Sequence, residues 1–101
     1  MIKLNHDANL PLLDKKYYLM TSKKELTGTK RQLKRGLKTL TTLNAKFAAH
    51  LKTGKFTTEG MNLISEIESM YSAIKYHTQD ISDLEKEVKY WEHLIKTNKV
   101  K

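Results

Sequence analysis

The sequence predicts an all-α protein folded as an antiparallel helical hairpin, and three observations carry that reading. Leu19, Leu26, Leu33 and Leu40, then Phe47, recur every seven residues, which is the spacing of a narrow apolar seam along a helix. A second run, Leu63, Ile64, Ile67, Met70, Tyr71 and Ile74, then Ile81, Leu84, Val88, Trp91 and Ile95, keeps helical spacing, and no Gly or Pro interrupts residues 61–101. Between the runs, "LKTGKFTTEG" reads as a turn, with Gly54 at the left-handed position that follows a helix C-terminus.

The elements follow in chain order. In "NLPLLDKKYYLM", Asn9 is a candidate cap and Pro11 is tolerated in a first turn, so residues 9–20 are expected to be helical or to dock on the hairpin. Ser22 and Glu25 in "SKKE" have the spacing of a capping box, which predicts a helix start near 22, with Thr21 as a bend and Gly28 as a weak point. The first long helix is expected over about 22–52, with Leu37, Leu51, Asn44, Lys23 and Lys30 completing its seam. Thr57 makes a good N-cap for the second helix, about 58–97, and Phe56 is placed to staple onto Met61. In "YHTQDISDLE" the apolar spacing slips by a short step, and Ser82 with Glu85 offers a second capping box where that helix could break. As a single domain over 1–101, the chain divides into an arm or short helix at 1–21, a basic helix at 22–53, a turn at 54–57 and an acidic and apolar helix at 58–98.

Folding back at Gly54 pairs residue i with roughly 110 − i. Leu40 then falls near Met70, Leu33 near His77, Leu26 near Leu84 and Leu19 near Trp91, while Lys30 meets Asp80 and Lys23 meets Glu87. A two-helix hairpin half-exposes its one seam, so oligomerisation, with a dimer as the simplest form, is expected to complete the core. Tyr76, Tyr90 and Leu94 lie off the main stripe and form a second strip that suits an oligomer or partner surface.

Composition narrows the function classes. Hydrophobic residues make up 39% and charged residues 30%, which is a globular balance rather than a disordered one. The absence of Cys rules out disulfides and thiolate metal sites. No apolar run reaches the length of a signal peptide or a membrane span, which points to a cytoplasmic protein without membrane contact. His6, His50, His77 and His93 show no i, i+4 pairing, and the carboxylates follow a solvent face instead of converging. The GK ahead of Thr57 lacks the earlier glycine of a phosphate loop, Ala49 standing in its place, and it follows a helix rather than a strand. No enzyme, no metal and no cofactor are expected.

Charge is the one strong functional signal. Residues 1–56 hold 13 Lys/Arg against 3 Asp/Glu, whereas residues 57–101 hold 6 against 8. Five cations fall within "KRQLKRGLKTL", and no acid interleaves from Lys30 to Lys52. A surface that only solubilises mixes its signs. Lys24, Lys30, Arg31, Lys34, Arg35 and Lys38 are therefore the candidate residues for an acidic protein or a nucleic-acid-bearing partner, the latter through phosphate-backbone contacts. The expected function is that of a non-catalytic helical interaction protein, in the manner of a mobile-element regulator or an inhibitor of a host nucleoprotein complex. A dimer binding DNA or RNA directly without sequence preference is one alternative, and an assembly or secretion-partner hairpin is another.

In shape the expected hairpin resembles the plasmid-encoded RNA-binding hairpins that dimerise into four-helix bundles. It also resembles short secreted hairpins with a Trp-X-Gly turn, although the turn here, "KTGKF", has no tryptophan. Tyr76 and Asp80 have the spacing of the latter family's Tyr-X-X-X-Asp export signal, but they stand mid-helix. No site residue is carried over from either family.

Overall fold

The computed structural model describes residues 7–97. It is all-helical, with α1 over Leu12–Leu51 and α2 over Thr58–Lys96 packed against each other as a hairpin. The expected arm up to residue 6, with His6, and the expected helical residue Asn98 lie outside the described residues.

Pro11 leads into α1. It has no N–H to leave unpaired, and its carbonyl accepts the first helical bond from the Lys15 amide at 3.1 Å. Asp14 sits in the first turn, where a carboxylate complements the helix dipole. The start expected near Ser22 is absent: α1 runs unbroken through that residue, which is buried mid-helix. Thr21 does not interrupt the helix, and its hydroxyl donates to the Tyr17 carbonyl at 3.0 Å. Thr27, Thr41 and Thr42 bond back one turn in the same way. These hydroxyls are thus satisfied inside the helix.

After Leu51 the chain reverses. The amides of Thr53 and Gly54 return to the carbonyls of His50 and Leu51, each at 3.1 Å, and Gly54 adopts a φ of 72°. Only glycine takes that left-handed value without strain. Thr57 caps α2 through its carbonyl, which accepts from the Met61 amide at 3.1 Å, while its hydroxyl lies 3.3 Å from His50 Nε2. Phe56 and Met61, the expected staple, are both exposed.

The chain divides into two compact units. The loop unit is residues 30–79, and the terminal unit comprises the residues up to Thr29 and from Asp80 onward. In the loop unit, a Cβ added to Gly36 would stand 3.4 Å from Ile74 Cγ1, and one added to Gly60 would stand 2.7 Å from His50 Nε2. Both contacts pair residue i with residue 110 − i. Leu43 and Leu63 are buried there, with Leu33, Leu40, Phe47, Ile67, Met70 and Ile74 half-buried around them.

The second seam row of α1 differs from the expectation. Lys23, Lys30, Leu37, Asn44 and Leu51 are all exposed. The inward row falls one residue earlier, with Lys15, Ser22, Thr29 and Leu43 buried and Gly36 and His50 half-buried. Helices packed side by side bury one residue and the third after it, then repeat after seven. The fourth residue points along the flank, and leucines at 37 and 51 imitate a seam without belonging to it.

α2 keeps the same repeat throughout. Ile67, Ile74, Ile81, Val88 and Ile95 form one row, and Leu63, Met70, His77, Leu84 and Trp91 form the other. Neither the slip nor the break near Ser82 occurs, and α2 is one helix of 39 residues. His77 holds the seam position that lacks an aliphatic residue.

In the terminal unit Leu84 and Trp91 are buried, and Tyr18 stacks on Trp91 with ring centroids 5.0 Å apart. The pairings expected for the seam lysines are corrected there. Asp80 accepts the Thr29 hydroxyl at 3.4 Å, and Lys23 pairs with Glu92 rather than Glu87, at 3.8 Å. Each partner of that ion pair lies four residues beyond a seam residue, Leu19 or Val88, so the two meet across the flank with an offset different from that of the seam.

Candidate interaction site

Lys30, Arg31, Lys34, Arg35 and Lys38 are exposed on α1 within the loop unit. With Leu33 at zero on a helical wheel, they span from about 60° to about 200°, turned away from the seam. Lys30 and Lys38 are about 12 Å apart along the axis. Among the described residues, no carboxylate lies within the 4.0 Å ion-pair distance of any of the five.

That arrangement opposes the stability of the isolated helix. Lys30 with Lys34, Lys34 with Lys38, and Arg31 with Arg35 are like-charge pairs four residues apart. Each such pair costs about 0.2–0.5 kcal/mol. An anion set against this face would reverse the sign of the cost. The charge is also local: the loop unit holds nine Lys/Arg against three Asp/Glu, a net +6, while the corresponding terminal segments hold ten against eight, a net +2. Lys24, the sixth expected cation, is exposed but belongs to the terminal unit.

The tyrosine–leucine strip divides. Tyr76, in the loop unit, is 69% exposed and meets the His77 ring edge-on. Tyr90 and Leu94, in the terminal unit, are half-buried. The Tyr90 hydroxyl donates to Asp7 Oδ2 at 2.7 Å, and its ring meets Trp91 edge-on. Burial, with the Asp7 carboxylate accepting its hydrogen bond and setting a negative charge beside it, pushes the Tyr90 phenol up to about 12.

Nothing in the spacing of Asp7 pointed to that bond, which joins residues 83 apart. A further feature emerges only once the inward rows are assigned from burial. Leu37, Leu51 and Tyr71 are exposed apolar residues, each four positions past a seam residue. With Gly36, Leu43 and His50 as the inward row of α1 and Leu63, Met70 and His77 as that of α2, all three fall on the flank.

The histidines do not converge. His50 stands beside Thr57 and Gly60, His93 is exposed, and His77 carries a buried Nδ1 without a hydrogen-bond partner among the described residues. No group of three His, Cys, Asp or Glu among the described residues is placed to hold a metal ion. No described helix is long and apolar enough to cross a membrane.

Comparison with protein-family models, curated proteins and solved structures found no match.

Proposed function

We propose that this protein is a non-catalytic helical interaction module that engages an acidic or nucleic-acid-bearing partner through the basic face of α1. The observation that carries this reading is the set of five exposed cations without a carboxylate partner among the described residues, in a unit of net +6. Clustered cations without counter-charges raise the local concentration of anions and speed their association. A regulator or inhibitor acting on a nucleoprotein machine uses a surface of this chemistry.

Direct binding of a duplex backbone is the second reading, favoured by the regular four-residue steps of the cations along one helix face. Self-association is the third. It rests on the exposed ring of Tyr76, while the hydroxyl of Tyr90 is already engaged by Asp7.

The test is the double charge reversal Arg31→Glu with Arg35→Glu, assayed against a random DNA duplex and against an acidic polypeptide such as polyglutamate over a salt series. The proposal expects binding of at least one of them, falling with salt, with log K against log[salt] sloping by about −0.9 per phosphate contact for the duplex. The reversal should flatten that slope. No binding of either anion at low salt removes the reading.

A further inference from the structure

The cationic face borders an apolar strip, and together they specify a class of partner. The loop unit's register, fixed by Gly36 against Ile74 and Gly60 against His50, sets Leu37, Leu51, Ile64 and Tyr71 along one flank of the two helices, with exposed Asn44 between the two leucines and exposed Thr78 beyond Tyr71. Leu37, Leu51 and Tyr71 are 48%, 53% and 55% exposed, and Ile64 is half-buried. From Leu37 to Leu51 the strip runs about 21 Å, or about four helical turns. In the terminal unit the residues four positions past Leu19 and Val88 form the Lys23–Glu92 ion pair, so the repeat does not require apolar residues at such positions. Lys34 stands one turn before Leu37, and Lys30 precedes it on the same row, neither with a carboxylate at ion-pair distance among the described residues. On the α2 side, Glu68 and Lys75 cancel.

We infer that this strip is the docking site of an acidic amphipathic helix from another protein, which lays its apolar side on Leu37, Tyr71, Ile64 and Leu51 and directs its carboxylates toward Lys30 and Lys34. The inference deepens the proposed function and rests on it. The surface between the two helix flanks has no sheet edge to offer an extended peptide, whereas docking of a helix needs apolar anchors at helical spacing. A nucleic-acid duplex would meet the cations but leave the leucines wet. A second copy is opposed by charge, since it would set one loop unit of net +6 against another.

The test uses the full chain and synthetic amphipathic peptides of about four turns. One carries Leu on one face and Glu on the rest, one is its scramble, and one has Lys in place of Glu; a random DNA duplex is run alongside. Calorimetry should show the Leu/Glu peptide binding, with the scramble about tenfold weaker or worse and the Lys peptide silent. Leu37→Ser with Tyr71→Ser should weaken the Leu/Glu peptide by about tenfold or more, without changing the affinity of any duplex that binds. Circular dichroism establishes that the variant keeps its helices, and Tyr71→Ser alone carries the test if the pair does not. Equal binding of peptide and scramble overturns the inference while leaving the proposed function standing. Unchanged peptide affinity in the folded variant overturns it too. Sedimentation that shows a dimer lost in the variant assigns the strip to a second copy instead. Failure of both the peptide and the duplex at low salt brings down both readings.

Discussion

The terminal and loop units use the same seven-residue repeat for different ends. In the terminal unit the α1 seam alternates leucine with polar residues: buried Lys15, Ser22 and Thr29 alternate with half-buried Leu19 and Leu26. Its large residues come from α2, as Leu84 and Trp91. Its surface is tied internally by Lys23 to Glu92, Thr29 to Asp80 and Tyr90 to Asp7. The loop unit has the more aliphatic seam, yet it leaves leucines and a tyrosine on one flank and five cations on the adjoining face. Polar residues fill the α1 seam of the terminal unit and pairs tie its flank, although Leu13, Tyr17 and Met20 are exposed there as well. The loop unit sets exposed leucines beside cations that no described carboxylate pairs. That difference, together with the local net charge, is the ground on which the proposed interaction is assigned to residues 30–79.

The comparison breaks most visibly at Trp91. If the terminal unit depends on α2 for bulk, Trp91→Ala removes the ring that Tyr18 stacks on and leaves a cavity beside polar neighbours. The expected loss is about 3–5 kcal/mol, which is large against the marginal stability of a chain this short. Denaturant unfolding followed by circular dichroism measures it. A loss below about 1 kcal/mol would show that the small seam residues of α1 pack without the tryptophan.

The loop unit offers the opposite experiment. His77 sits in its seam, opposite Leu33 by the observed register, with Nδ1 buried and lacking a partner among the described residues. A buried polar group left unsatisfied costs about 1–3 kcal/mol. His77→Leu restores the aliphatic row and is expected to stabilise the hairpin by an amount in that range, read as a higher denaturation midpoint at unchanged slope. A destabilised variant would mean that the imidazole holds the register instead.

His77 also shows where sequence reading reached its limit. The two-helix architecture, the turn at Gly54 and the pairing of i with 110 − i were legible because leucines at seven-residue spacing and a single glycine turn leave little freedom. The second row of each seam was not. On α1 it is made of Lys15, Ser22, Thr29 and Gly36, which carry no hydrophobic signal, while Leu37 and Leu51 advertise the flank. On α2 a histidine in the row looked like a slip of register. The candidate cations were legible in full, because charge is a composition signal. The apolar strip beside them could not be recognised until the rows had been assigned.

The smallest expected effect tests whether the terminal unit is tied through Tyr90. An ordinary tyrosine titrates near 10, and this one is pushed up to about 12 by burial and by the Asp7 carboxylate. Between those values the unfolded chain releases the Tyr90 proton while the folded protein keeps it, so the unfolded state binds fewer protons and stability falls as pH rises. The contribution is complete below about pH 10 and is lost through about pH 12. Tyr90→Phe keeps the ring against Trp91 but removes both the bond to Asp7 and the titrating group, at a cost of about 1 kcal/mol near neutral pH. The difference in melting temperature between the wild type and Tyr90→Phe should therefore be level up to about pH 10 and shrink above it. Effects common to both chains, such as lysine deprotonation, cancel in that difference. A gap that stays constant to about pH 12 would mean that the hydroxyl of Tyr90 is wet in solution, and that the terminal unit is held by its seam and the Lys23–Glu92 flank without the Asp7 tie.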